Sequence, residues 1–146
     1  MKSIFFILSL FLLSRVSSSP ADSLLDQYMK VKDALVASDD RKAHEEVVLL
    51  LRIIRESPLS KKEDLLKAVQ KMEKLADLEK QRTAFAAVSL EMWKLVKQAG
   101  NLNRDVYYQY CPMKKVYWLS YEAEIRNPYY GAKMLTCGNI ADRKLK

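Results

Sequence analysis

The sequence predicts a mainly α fold: an up-and-down four-helix bundle with a small aromatic-rich C-terminal segment. This segment can form a β-hairpin and carries the Cys and Met residues of interest. Residues 22–100 are rich in Leu, Ala, Lys and Glu, and their apolar residues recur at intervals of three and four, the spacing of one helical face. From residue 101 onward the composition changes, since seven of the eight tyrosines lie between Tyr107 and Tyr130 and both cysteines follow Asn101.

The first two helices are predicted from a capping signal and two apolar stripes. Ser23-x-x-Asp26 resembles a capping box and predicts the start of the first helix. The run "SDDR" at residues 38–41 is expected to end this helix and to cap the second. The inward residues are Leu24, Tyr28, Val31 and Leu35, followed by Ala43, Val47, Leu50, Leu51 and Ile54.

Two further helices are predicted after Pro58, which interrupts the helical pattern because proline lacks a backbone donor. Ser60-x-x-Glu63 is a full capping box for the third helix, and Asp77 can begin the fourth, although one bent rod is an alternative. Gly100 is a C-terminal stop. The inward residues are Leu65, Leu66, Val69, Met72 and Leu75, then Leu78, Phe85, Val88, Met92, Leu95 and Val96.

The C-terminal segment contains two β-favouring runs, "DVYYQY" and "VYWLS", with "CPMKK" between them at the turn of a hairpin. Asn127-Pro128 is a turn signal, and Gly131 permits an unusual backbone conformation. The aromatic residues are expected to pack this segment onto the helices. The last residues, "DRKLK", are expected to be a frayed terminus.

The N-terminal stretch "MKSIFFILSLFLLSRVSSSPAD" has the layout of a secretory signal peptide. Lys2 precedes an apolar run from Ile4 to Leu13, which is too short to span a bilayer of about 30 Å. We therefore predict a signal peptide over residues 1–21, with cleavage after Ala21, and one mature domain over residues 22–146. This domain comprises a helical bundle (22–100) and a C-terminal lid (101–146). An uncleaved anchor is the alternative. The predicted location is periplasmic or secreted, with no membrane in the mature form.

The charge and the motifs exclude several classes of function. The net charge of +7 is spread along the chain, so no nucleic-acid partner is expected. The single histidine, His44, lies in the second helix and is more typical of a helix surface than of a ligand. The sequence contains no Ser-His-Asp set, no Gly-rich phosphate loop and no HExxH motif, and we expect no enzymatic activity and no catalytic residues.

The two cysteines each have a methionine close by, as Cys111-Pro-Met113 and as Met134-x-x-Cys137. Thiolates and thioethers are soft donors that suit Cu(I), and a thiolate-rich site can also take Zn(II). Residues two apart on a strand, or three apart on a helical turn, share a side. Each pair could therefore supply two sulfurs to one site. A structural disulfide, favoured by export and an even cysteine count, and two unrelated buried thiols remain open.

The motifs "CPM", "WLS", "EIRNPYYG" and "ML-x-CG" resemble the C-terminal signature of a bacterial exported family of unknown function. Upstream, "LEKQRTAFAAVSLEMWKLVK" and "VKDALVASD" resemble two of its helices. Domains of this family also occur fused to periplasmic adaptor subunits of copper/silver-type heavy-metal efflux pumps. The chain departs from the family at "KKVY", where members often have Ala and Gly, which makes this loop bulkier and more cationic.

The resemblance implies metal handling. Cys111 and Cys137 would then be thiolate ligands of Cu(I), Met113 and Met134 thioether ligands, and Trp118 a wall of the site. The protein would buffer the ion or pass it to an efflux adaptor. The alternative function is a structural or protein-interaction domain with a Cys111–Cys137 disulfide and no metal.

Overall fold

The computed structural model describes residues 19–146. Most of the predicted signal peptide, residues 1–18, lies outside the described residues. The helices are α1 (Pro20–Val36), α2 (Asp40–Glu56), α3 (Glu63–Glu73) and α4 (Leu78–Gln98). They are followed by β1 (Val106–Cys111), β2 (Val116–Ser120), a 3-10 turn (Gly131–Met134) and β3 (Asn139–Lys144). The prediction of a mainly helical fold is confirmed, and α3 and α4 are separate helices.

The capping box of α1 lies one turn earlier than predicted. Asp22 donates its backbone N–H to Oγ of Ser19 at 3.1 Å, and its carboxylate accepts the backbone N–H of Ser19 at 3.3 Å. Pro20 then occupies the first turn, where its missing donor costs nothing. The predicted start at Ser23-x-x-Asp26 is therefore wrong, because an equivalent box with a favourable proline precedes it.

Asp39 and Asp77 cap α2 and α4 as predicted, accepting the N–H groups of Lys42 at 2.8 Å and of Lys80 at 2.9 Å. The predicted capping box at Ser60 is wrong. Helix α3 begins at Glu63, and Lys62 occupies its N-cap position without a side-chain hydrogen bond. The Lys62 ammonium instead donates to the carbonyls of Arg55 and Ser57 at the end of α2. This contact fixes the connection and leaves Ser60 before the helix.

The strands form one antiparallel sheet in the order β2-β1-β3. The predicted hairpin of β1 and β2 is confirmed, with Tyr107 opposite Ser120 and Cys111 opposite Val116. The expectation of a frayed C-terminus is wrong, because β3 pairs with β1 from Val106–Lys144 to Tyr110–Asn139, with a bulge between Tyr108 and Gln109. Pairing with the free edge of β1 orders a segment that has no strand pattern of its own.

One hydrophobic core includes residues of the helices and of the sheet. Tyr28 of α1 stacks on Phe85 of α4 with ring centroids 5.0 Å apart. Its hydroxyl accepts the backbone N–H of Leu119 in β2 at 3.1 Å. Trp93 of α4 stacks on Tyr108 of β1 at 4.6 Å. The prediction that aromatic residues pack the C-terminal segment onto the helices is confirmed. Among residues 19–146, no helix is long and apolar enough to cross a bilayer.

Candidate metal centre

The structure brings the two cysteines together. Cys111 is the last residue of β1 and is fully buried. Cys137 is half-buried and lies two residues before β3. The ladder between β1 and β3 ends with Tyr110 opposite Asn139, so each cysteine lies just beyond that last pair. Both thiols are free, and the Cys111 side chain lies close enough to Cys137 to raise its pKa. Two residues that are 26 positions apart in sequence thus lie next to each other at the end of the β1–β3 ladder.

Partial burial, and then the adjacent Cys111 thiol, raise the pKa of Cys137. Burial disfavours the charged thiolate, and a second sulfur nearby disfavours it further because two negative charges would repel. A positive ion placed between the sulfurs would reverse both effects. Cys137 therefore holds its proton more firmly than an ordinary thiol, and the two neighbouring sulfurs are chemically suited to a thiophilic cation.

The two methionines are placed differently. The expectation that Met113 shares the side of Cys111 on an extended strand is wrong, because β1 ends at Cys111 and residues 112–115 form the turn. Met113 is 64% exposed, whereas Cys111 is buried. Met134 ends the 3-10 turn and is half-buried, and its carbonyl accepts the N–H of Cys137 at 3.1 Å. Met134 and Cys137 thus lie on one turn, as the spacing predicts.

Asn127 holds the segment that carries Cys137. It is fully buried, and its Nδ2 donates to the carbonyl of Cys137 at 2.8 Å. Its own N–H donates to the carbonyl of Leu135 at 2.7 Å, and its Oδ1 accepts the N–H of Tyr129 at 2.8 Å. Sequence reasoning identified Asn127-Pro128 only as a turn. An asparagine before a proline does not reveal that its side chain binds a backbone carbonyl ten residues later.

Trp118 forms a wall next to this segment. It is fully buried, and a Cβ added to Gly138 would lie 2.8 Å from its Cη2 atom and 2.9 Å from the carbonyl of Tyr110. Gly138 has a φ of +155°, which also disfavours other residues. The backbone next to Cys137 therefore packs directly on the indole. The indole N–H of Trp118 and Oε1 of its cross-strand neighbour Gln109 are buried without a protein partner.

Arg82 of α4 anchors the "NPYYG" segment to the helices. Its guanidinium is buried and donates to the carbonyls of Pro128 at 2.8 Å and Leu35 at 2.9 Å, and to Ser38 Oγ at 2.9 Å. Glu79 completes the set with an ion pair at 2.7 Å. Sequence reasoning missed this role, because an arginine on a helix is usually solvated. The anchor links α1 and α4 to the segment before Met134.

Other candidate ligands do not converge. Among residues 19–146, no three His, Cys, Asp or Glu side chains form a group that could hold a metal ion. The predicted ligand set contains two of these residue types, Cys111 and Cys137, and its other two members are the methionines Met113 and Met134. His44 lies on α2. The two cysteine thiols are soft donors that the fold places next to each other at the end of the β1–β3 ladder.

Comparison with known proteins gives one family and no closer relative. No curated protein and no solved structure matches the chain. A family profile matches residues 24–104, which extend from α1 to the segment before β1. The four candidate sulfur ligands, Cys111, Met113, Met134 and Cys137, lie beyond this match. Because the match covers more than half of the chain, the protein belongs to the family described as "Protein of unknown function (DUF3347)".

Proposed function

We propose that this protein binds a soft metal ion, Cu(I), at the paired thiols of Cys111 and Cys137, with Met134 and Met113 as thioether donors. It acts in the periplasm, where it buffers the ion or passes it to an efflux system, and it has no enzymatic activity. The helices, in an up-and-down arrangement, serve as the scaffold. The periplasmic location rests on the signal-like N-terminus, and the efflux partner rests on the resemblance of the C-terminal motifs.

The observation that carries this proposal is the position of the two free thiols next to each other, just beyond the last pair of the β1–β3 ladder. Cu(I) favours few, soft ligands, and two thiolates already form an adequate site for it. Burial of Cys111 and the packing of Trp118 keep water away from one side of the pair. Met134, which is half-buried and one turn from Cys137, is an additional donor close to the pair along the chain.

Met113 has a different part in the proposal. Its exposure suits a residue that first receives an ion and then passes it to the cysteine pair. Thioethers bind weakly and exchange readily, which a carrier requires. Lys114 and Lys115 follow it in the same turn, so a free cation would approach against local positive charge. Delivery by a donor protein or a neutral complex would avoid this repulsion.

A second function is favoured by the same arrangement. Two neighbouring thiols in an exported protein can form a structural disulfide. The protein would then be a stable interaction module without metal. Under this alternative the methionines are packing residues, and leucine at either position changes the free energy of unfolding by less than about 1.5 kcal/mol and has no other effect.

The first test is an anaerobic Cu(I) titration of reduced protein against a colorimetric Cu(I) chelator. We expect the protein to retain one equivalent of Cu(I) and Cys137→Ser to lose it. Met134→Leu and Met113→Leu should weaken retention, whereas Met92→Leu, a buried methionine in α4, should not. Failure of the reduced protein to compete with the chelator would contradict the proposal and leave the disulfide module. Weakening by Met134→Leu alone would define a three-sulfur site.

A further inference from the structure

The two neighbouring thiols differ in exposure. Cys111 is fully buried at the end of β1, whereas Cys137 is half-buried on the segment between the 3-10 turn and β3. A dissolved disulfide can react only with a thiol that it can reach. Thiol–disulfide exchange would therefore start at Cys137, and Cys111 is placed to complete it.

We infer that the thiol pair is a redox switch that controls the ion site: the reduced pair holds the ion, and oxidation to a Cys111–Cys137 disulfide releases it. This inference rests on the proposed function, since it concerns the regulation of the same site. It differs from the structural-disulfide alternative because here both redox forms are functional states of one protein.

The oxidant is a low-molecular-weight disulfide, RSSR. The thiolate of Cys137 attacks one of its sulfurs, forms a mixed disulfide and expels one RS⁻. The thiolate of Cys111 then attacks the sulfur of Cys137, forms the protein disulfide and expels the second RS⁻. The two protons that the cysteines lose are taken up by the two leaving thiolates. The cysteines lose two electrons and RSSR gains them.

The fold holds the pair together without the help of an ion. Lys115 donates its N–H to the carbonyl of Cys111 at 2.8 Å, which fixes the end of β1. Asn127 binds the carbonyl of Cys137, and the ladder between β1 and β3 joins the two segments. The two cysteines are therefore held next to each other in the folded protein, so the switch requires no unfolding.

Oxidation removes the stronger donors and leaves the weaker ones. A disulfide has no thiolate to offer, and Met134 and Met113 are neutral thioethers. Met113 is also 64% exposed, so water competes at its sulfur. The oxidised site is therefore expected to bind Cu(I) far more weakly than the reduced site.

The exchange order is tested on metal-free protein spanning residues 19–146, incubated with oxidised glutathione and analysed by alkylation and intact mass. We expect the protein to lose both free thiols. Cys111→Ser should accumulate a mixed disulfide at Cys137, and Cys137→Ser should react about ten-fold more slowly at the buried Cys111. Persistence of both thiols in the unsubstituted protein, or equal rates in the two variants, would overturn the inference.

The release of the ion is tested by the same Cu(I) titration on both redox forms. Reduced protein should retain one equivalent, oxidised protein none, and re-reduced protein one again. Retention by the oxidised form would overturn the switch while leaving the proposed function intact. Absence of binding by the reduced form would instead overturn the proposed function, and the switch with it, even if the thiols oxidise readily.

Discussion

Gly131 shows how one residue determines the approach of two segments. Its φ is +56°, and an added Cβ would lie 2.6 Å from Ser38 Oγ, 2.8 Å from Nη2 of Arg82 and 3.0 Å from the carbonyl of Val36. A glycine at this position therefore permits both the left-handed backbone and the close contact with the Arg82 anchor.

Gly131→Ala is expected to destabilise the protein by about 3 kcal/mol, because backbone strain and steric overlap add. The measurement is the free energy of unfolding in urea. Gly100→Ala is the matched control, since nothing lies within 4 Å of its added Cβ, and it should change the free energy by less than about 0.5 kcal/mol. Equal effects of the two variants would show that the contact with Arg82 does not constrain Gly131.

Glu46 of α2 is a buried carboxylate with two partners. It forms an ion pair with Lys42 at 2.8 Å and accepts a hydrogen bond from Gln27 of α1 at 2.6 Å. The hydrogen bond from Lys42, followed by that from Gln27, lowers the pKa of Glu46, although burial opposes them. The folded state therefore favours the ionised carboxylate of Glu46 over its protonated form more strongly than the unfolded state does.

The stability contributed by Glu46 should be fully present above its unfolded pKa of 4.5 and lost as the pH falls through the lower folded pKa. Glu46→Gln should be less stable at pH 7 by about 1–2 kcal/mol and should lose less stability on acidification below pH 4.5. Urea unfolding across this range measures both effects. Glu56→Gln, an exposed glutamate of α2, is the control, and the same pH dependence in both variants would contradict the assignment to Glu46.

At the scale of an element, β3 depends on partners that are distant in sequence. Its residues pair with β1, and the Lys144 ammonium donates to the carbonyls of Val96 and Ala99, at the C-terminal end of α4. A cation at this end also interacts favourably with the helix dipole. The strand thus connects the sheet to the longest helix, although five of its six residues are exposed.

Removal of residues 139–146 should destabilise the protein by about 3 kcal/mol or more, because β1 loses a full ladder and α4 loses its terminal donor. Removal of residues 145–146 alone is the control and should have little effect. Lys144→Ala tests the helix contact separately, with an expected loss of about 1 kcal/mol. Urea midpoints that are unchanged by the longer truncation would show that β3 does not stabilise the fold.

At the scale of the whole molecule, the helices and the sheet share one hydrophobic core. Tyr28 contacts both parts of the fold, since its ring stacks on Phe85 of α4 and its hydroxyl accepts a backbone N–H from β2. Burial raises the pKa of the Tyr28 phenol well above its ordinary value, so the group remains neutral at any physiological pH. Neither part can separate without exposing apolar surface of the other.

We therefore expect a single cooperative unfolding transition. Far-UV circular dichroism, which follows the helices, and the fluorescence of Trp118 in β2, recorded on Trp93→Phe, should have the same urea midpoint. The substitution leaves Trp118 as the only tryptophan, since the chain has two. Two separate midpoints would show that the sheet unfolds independently of the helices.

The sequence by itself determined the features that depend on neighbouring residues. Asp39 and Asp77 cap their helices because an aspartate can bind N–H groups three residues away. The hairpin of β1 and β2 was predictable because two β-favouring runs flank a short turn. The apolar stripes likewise identified buried residues from spacing alone.

The tertiary structure decided what depends on distant partners. β3 has no strand pattern, and only the free edge of β1 makes it a strand. The predicted cap at Ser60 failed because Lys62 binds the end of α2. The candidate site also depends on distant partners. Sequence spacing left open whether Cys111 and Cys137 lie next to each other, and it placed Met113 on an extended strand although this residue lies in the turn. The two cysteines lie next to each other because β3 pairs with β1 and Asn127 holds Cys137, and local sequence encodes neither interaction.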